Sequence, residues 1–275
     1  MQIEIIEMSD TKAKFILKDG TPGLANALRR VLISDVPKMA IDNVEFHLGP
    51  IMVDGREYES ITPLFDEIVS HRLGLVPVPT DHELFVFQKD CVCEGEGCPN
   101  CSIMYSLNKI GPCTVYSGDL VPLGNEALKV KDDLIPIIEL GDGQAVLVYA
   151  IARMGTANEH VKWQATHGVG YKYMPIISVD PKLCDGGSKC TDLCPCKVFV
   201  MDGDVAKAEN LLQCSLCGSC LKFCDMKAIS LTEDDTQFVF TMETDGSLTA
   251  AQTLDYALKD LQARFAKFCE DLPDA

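Results

Sequence analysis

The feature that most constrains this chain is a cysteine run that occurs twice. Cys184, Cys190 and Cys194 return thirty residues later as Cys214, Cys220 and Cys224, and the flank Lys197-Val198-Phe199 returns as Lys227-Ala228-Ile229. A constant offset marks a duplicated structural unit, so each half reads as a cysteine run leading into a short apolar strand. The start, MQIEIIEMSD, has neither a basic nor an apolar signal region, which places the chain in the cytoplasm. Fourteen cysteines in a reducing compartment then ask for metal ligation rather than disulfides.

The second run, Cys214-x-x-Cys217-x-x-Cys220-x-x-x-Cys224, has the spacing of the cluster-binding run of bacterial-type ferredoxins. It lacks only the terminal proline, which the first run keeps as Pro195. Such a loop points three thiolates at one cubane and takes the fourth from the other half. By that rule Cys194, Cys214, Cys217 and Cys220 form a complete [4Fe–4S] site. Cys184, Cys190 and Cys224 form an incomplete one, because Gly187 stands opposite Cys217 and offers no ligand atom. Three outcomes stay open there: a [3Fe–4S] cluster, a [4Fe–4S] cluster with an outside ligand, or no cluster. Cys196 is a candidate substitute thiolate. A separate group, Cys91, Cys93, Cys98 and Cys101, is close enough in sequence to close the tetrahedral shell of a structural zinc. Cys113 and Cys269 are read as buried or free thiols.

Around these cysteines the chain is that of an ordinary globular protein. It is 47% apolar and 24% charged over 275 residues, enough for two or three small cores, and no apolar run approaches the ~20 residues of a membrane helix. The formal charge is −17, from 41 acidic against 24 basic residues. Without a cluster of Lys and Arg, direct DNA binding is not expected.

Alternation around Ile3, Ile5, Phe15 and Leu17 predicts two strands with a turn at Ser9-Asp10. Thr21 and Pro22 then start a helix with Leu24, Leu28, Val31 and Leu32 on one face, ending near Asp35. A short helix is expected from Thr62-Pro63 to Gly74, and strands from Ser102 to Arg153 make the middle a mixed α/β region. After the strand QFVFTMET, a last helix is announced by the capping box Thr249 and Gln252. Along it Leu254, Leu258, Leu261, Phe265, Phe268 and Leu272 form a heptad-like seam that some partner or sheet must cover.

Three segments, GLANALRRVLISDVPKMAIDNVEF, FDEIVSHRLGLVPVP and FTMETDGSLTAAQTLDYALKDL, together with EHVKWQ, resemble the alpha-like subunit family of multisubunit RNA polymerases, specifically its archaeal D-type members. The pieces occur in the family's order and span nearly the whole chain. The resemblance implies an α+β fold in which a split alpha-like dimerisation domain (1–48 and 231–275) encloses an inserted mixed α/β domain (49–177, with the cysteine loop 91–101) and a ferredoxin-like two-half Fe–S module (178–230). It also implies a heterodimer with the smaller subunit L, which nucleates assembly with subunits N and P and the large catalytic subunits. The seam from Leu254 to Leu272 becomes the expected L-facing surface, and Arg29 and Arg30 the expected contact to a large subunit. For His71-Arg72-Leu73-Gly74-Leu75, a helix end with packing is as good a reading as a direct contact.

Nucleotidyl transfer needs aspartates that hold magnesium. The one local match, Asp202-Gly203-Asp204, sits in the hairpin-like FVMDGDV and reads as a turn. The chain is therefore expected to be a polymerase subunit with no activity of its own, its clusters serving as a fold staple or as an oxygen-sensitive link to assembly. The rival reading is a ferredoxin-like electron-transfer subunit of a redox complex, which would need neither the Arg29-Arg30 helix nor the C-terminal seam.

Overall fold

The computed structural model describes residues 2–187 and 189–272. In chain order the first elements are β1 (Gln2–Met8), β2 (Lys12–Lys18), α1 (Pro22–Ser34), β3 (Lys38–Phe46), β4 (Ile51–Val53), β5 (Arg56–Tyr58) and α2 (Asp66–Gly74). The middle supplies β6 (Ser102–Ile110), β7 (Cys113–Tyr116), β8 (Val121–Pro122), β9 (Pro136–Leu140), β10 (Ala145–Gly155) and β11 (Thr166–Val179). Then follow α3 (Lys189–Asp192), β12 (Phe199–Asp202), β13 (Val205–Ala208), α4 (Ser219–Phe223), β14 (Ile229–Thr244) and α5 (Ala250–Glu270). The chain divides into two compact units, and both are discontinuous in sequence.

The first unit comprises the first strand, Ala13–Arg29 and Gly168–Met242. Its sheet runs β1-β2-β14-β11. Alternation in β2 sends Phe15 and Leu17 inward, where they are fully buried with Phe238 and Phe240 of β14. Phe15 stacks on Phe240 at 5.0 Å between ring centroids, and Tyr171 of β11 meets Phe238 edge-on at 5.7 Å. Four buried aromatic and aliphatic side chains, each stabilising by about 1.5–3 kcal/mol, tie the two ends of the sequence into one sheet. Helix α1 begins as its sequence signals require: Thr21 Oγ1 accepts the Leu24 amide at 3.3 Å. Its buried face is Ala25, Leu28, Val31 and Leu32; Leu24, expected on that face, is only half-buried.

The second unit comprises Ser9–Lys12, Arg30–His167 and 243–272. Its main sheet is β3-β10-β6-β8, with antiparallel pairing of β10 to both β3 and β6. One face of it forms a continuous core of Met39, Tyr105, Leu107, Val148 and Ala150, joined by Val69 and Leu73 from α2 and by Val115 and Ile138 from the β7-β9 pair. Helix α2 starts later than Thr62-Pro63 suggests, because the Thr62 hydroxyl donates to the Leu64 carbonyl and caps nothing. Leu73 is fully buried and Arg72 Nη1 donates to the Ile137 carbonyl at 2.6 Å, so this stretch is a helix end held by packing. At the end of β10, a β-carbon on Gly155 would lie 2.5 Å from the Trp163 ring. Glycine is required there because the indole, held between Arg153 and Lys162 and donating to the Arg153 carbonyl, occupies that space.

Candidate metal centres and assembly face

The duplication in sequence is a duplication in structure. Helices α3 and α4 begin thirty residues apart, as do β12 and β14. After each run the chain makes the same turn: the Lys197 amide donates to the Cys194 carbonyl at 3.1 Å and the Lys227 amide to the Cys224 carbonyl at 3.0 Å. Both lysines take a left-handed backbone, with φ of 48° and 53°. The following amide in each half, Val198 N–H or Ala228 N–H, then points at sulfur, reaching Cys194 Sγ at 3.5 Å and Cys224 Sγ at 3.2 Å.

The thiols fall into two groups that exchange one member between the halves. Cys194, Cys214, Cys217 and Cys220 line one cavity, closed by Ile177, Phe199 and Leu231. Cys184, Cys190 and Cys224 line another, with Gly187 at its edge. Electrostatics gives the same grouping. Burial pushes the Cys220 thiol up, and Cys214, Cys217 and Cys194 add to the shift; burial raises Cys190 as well, and there the contributing thiols are Cys184 and Cys224. The donor set of the first cavity fits a four-thiolate cluster, and that of the second fits three corners of one. Cys196 is not the substitute for Gly187. It lines the first cavity, 3.7 Å from Ser215 Oγ, because the turn after Cys194 carries it toward the opposite half.

Lys172 of β11 went unnoticed in the sequence. Its ammonium donates to the carbonyls of Leu212 and Cys214 at 2.8 and 2.6 Å, pinning the start of the second run. Desolvation, with the nearby Lys14 charge, lowers its pKa. No local motif marks it, since the contact spans some forty residues. Asp202-Gly203-Asp204 forms the β12-β13 turn, with Gly203 at φ 63°.

Cys91, Cys93, Cys98 and Cys101 converge, their sulfurs all within 4.8 Å of one another. The amide of Cys98 donates to Cys101 Sγ at 3.3 Å. Burial drives the Cys101 thiol up to about 12. At Cys93 desolvation is outweighed by hydrogen bonds from Cys91 and from the Gly95 and Gly97 amides, which bring it down to about 6. Four sulfurs this close together can close the shell of one metal ion. Cys113 is half-buried, bonded to the Ile110 carbonyl, and Cys269 is exposed.

Helix α5 opens with the expected reciprocal cap between Thr249 and Gln252. The seam along it divides in two. Leu254 and Leu261 are buried within the chain and Leu258 is half-buried, whereas Phe265 and Phe268 are 53% and 63% exposed; Leu272, expected on the seam, is 52% exposed but lies beyond the helix, which ends at Glu270. Arg29 is half-buried with its guanidinium on Asn26 Oδ1 at 2.9 Å, and Arg30 is exposed.

Residues 14–265 match the family model of the RNA polymerase Rpb3/Rpb11 dimerisation domain. The chain is 44% identical over 273 residues to the DNA-directed RNA polymerase subunit Rpo3 of Picrophilus torridus, covering 99% of this chain and all of the relative. It is 44% identical over 275 residues to Rpo3 of Thermoplasma volcanium, covering both chains completely. A more distant relative, the DNA-directed RNA polymerase II subunit rpb3 of Dictyostelium discoideum, is 30% identical over 292 aligned residues, covering 96% of this chain and 92% of its own. With a dimerisation-domain match over most of its length and full-length likeness to archaeal subunits, this chain belongs to the Rpo3 family of DNA-directed RNA polymerase subunits, the archaeal D type.

Proposed function

We propose that the chain works as a non-catalytic assembly subunit that pairs with a smaller Rpb11-like partner, subunit L, before the large catalytic subunits join. The observation that carries this is the distal half of α5. Phe265 and Phe268 present an apolar stripe to water there, and the exposed Leu272 follows just past the helix end at Glu270; Phe265 lies inside the dimerisation-domain match. Covering such side chains stabilises by about 1.5–3 kcal/mol each when burial is complete. Subunits N and P and the large subunits are the further partners, with Arg30 exposed and available to one of them. In this reading the halves 1–48 and 231–275 make the dimerisation domain, 49–177 is the insert and 178–230 is a ferredoxin-like module. The setting is cytoplasmic. Affinity purification of the full chain from anaerobic extract tests it: recovery of the large polymerase subunits is expected, and recovery of a dehydrogenase or hydrogenase instead would overturn it.

The module is proposed to hold a [4Fe–4S] cluster on Cys194, Cys214, Cys217 and Cys220, supported by the shared cavity and by the duplicated N–H to sulfur bonds, which tune a cluster's potential. The Cys91 group is proposed to hold zinc. Four Zn–S bonds of ~2.3 Å in a tetrahedron place sulfurs about 3.8 Å apart. The separations Cys91–Cys98, Cys93–Cys101 and Cys98–Cys101 are 3.5, 3.6 and 3.9 Å.

A further inference from the structure

The cavity of the incomplete cysteine set is lined by an oxygen donor that lies beside Gly187, the residue at which the repeat lacks a thiol. Gly187 occupies the position that Cys217 holds in the other half. Asp185 lines the same cavity as Cys184, Cys190 and Cys224. A β-carbon built on Gly187 would lie 3.0 Å from Asp185 Oδ1 and 3.7 Å from Oδ2. The carboxylate thus lies in tight contact with the position at which the missing side chain would begin. It is also held there, because the Gly187 amide donates to Oδ1 at 3.0 Å. The nearby Lys189 is ion-paired with Asp225, and both residues line the cavity.

A carboxylate is anionic, as a thiolate is, so it can close a cubane without changing the net charge of the ligand set. It is a harder donor and suits iron less well than sulfur does. We propose that Asp185 is the fourth ligand of a cluster held by Cys184, Cys190 and Cys224, making this a [4Fe–4S] site with one oxygen-bound iron. The proposal rests on the iron–sulfur reading of the module. It departs from that reading in assigning the open corner to a residue of this chain rather than leaving it empty or to an outside ligand. Asp185 is exposed to solvent, so the oxygen-bound iron is the one an oxidant reaches and the one most weakly held. On oxidation, [4Fe–4S]²⁺ gives one electron to the oxidant and releases one Fe²⁺, leaving [3Fe–4S]⁺.

The test is a ferricyanide titration of the full-length chain, reconstituted anaerobically with iron and sulfide. It compares wild type, Asp185→Ala and Asp185→Cys, each on a Cys217→Ser/Cys220→Ser background, which leaves the first site only two thiols so that it does not contribute. Bound iron and the paramagnetic [3Fe–4S]⁺ signal are followed. The expected order is graded: Asp185→Ala holds about one iron fewer per chain before any oxidant is added, wild type loses that iron at low ferricyanide, and Asp185→Cys retains it. If wild type and Asp185→Ala coincide in iron content and signal, Asp185 is not a ligand. Absence of any cluster in all three overturns the proposal too; the Cys217-containing parent then tells whether the module as a whole or only this half fails to bind.

Discussion

Asp35, just beyond the end of α1, shows how one carboxylate can fasten distant parts of the chain. It accepts hydrogen bonds from Ser34 Oγ at 2.5 Å and Asn158 Nδ2 at 2.8 Å, and pairs with Arg264 of α5 at 2.7 Å. Burial alone would raise its pKa, but these hydrogen bonds and the Arg264 charge prevail and hold it below the ordinary 3.8. A carboxylate depressed in the folded state stabilises above its unfolded pKa, and the contribution fades as pH falls through the folded value. Arg264 is 54% exposed, so solvent screening keeps the ion pair to about 0.5–1 kcal/mol. Asp35→Asn should therefore lower stability by about that amount at neutral pH. The gap to wild type should close below pH 3.8, as read from urea midpoints across a pH series; a gap independent of pH would contradict the assignment. Nothing in the sequence around Asp35 distinguished it from any other surface aspartate, because its partners Asn158 and Arg264 lie far along the chain.

At the scale of elements, α5 and the cysteine loop make separable claims. Replacing Phe265 and Phe268 together by Glu removes two exposed apolar side chains and buries none of the added charge within the chain. Stability of the free subunit should change by less than about 0.5 kcal/mol per site. Affinity for the small partner, measured by calorimetry, should fall by roughly tenfold or more per residue. Equal affinity would mean the partner sits elsewhere. For the loop, Cys98→Ser removes one vertex of the sulfur tetrahedron. It should abolish binding of the proposed zinc in metal analysis and speed amide exchange between residues 91 and 101, with the sheet β3-β10-β6-β8 unaffected. Both elements were legible in advance, the helix from its cap and period, the loop from its spacing. The division of the seam was not, because periodicity gives the face of a helix and says nothing about where the neighbouring chain stops covering it. The start of α2 was misplaced for a similar reason: Thr62 has a capping side chain, and a backbone carbonyl two residues on claims it.

For the whole molecule, the question is whether the cysteine module and the dimerisation function are coupled. Strand β14 begins at Ile229 in the module's second half and ends at Thr244, five residues before the cap of α5, so cluster loss has a direct covalent route toward the dimerisation elements. Replacing both Cys217 and Cys220 by Ser should abolish the proposed first cluster and, through the staple it would provide, weaken partner binding; unchanged affinity in the presence and absence of oxygen would remove the coupling.

Local and periodic features were written in the order of the residues. Turn residues, caps, the two-residue and 3.6-residue periods and the thirty-residue repeat are encoded by neighbours along the chain, and they sufficed for the elements, the cysteine groupings and the family resemblance. Whatever depends on residues far apart in sequence and close in space emerged with the folded chain. Folding moved Cys196 into the first cavity, set Lys172 on the carbonyls of the second run, and left half of α5 uncovered. It also brought Asp185 and Gly187 of the first run into one cavity with Cys224 of the second. Spacing shows that Gly187 offers no thiol where the repeat has Cys217; the folded chain is needed to show which side chains line the cavity around it.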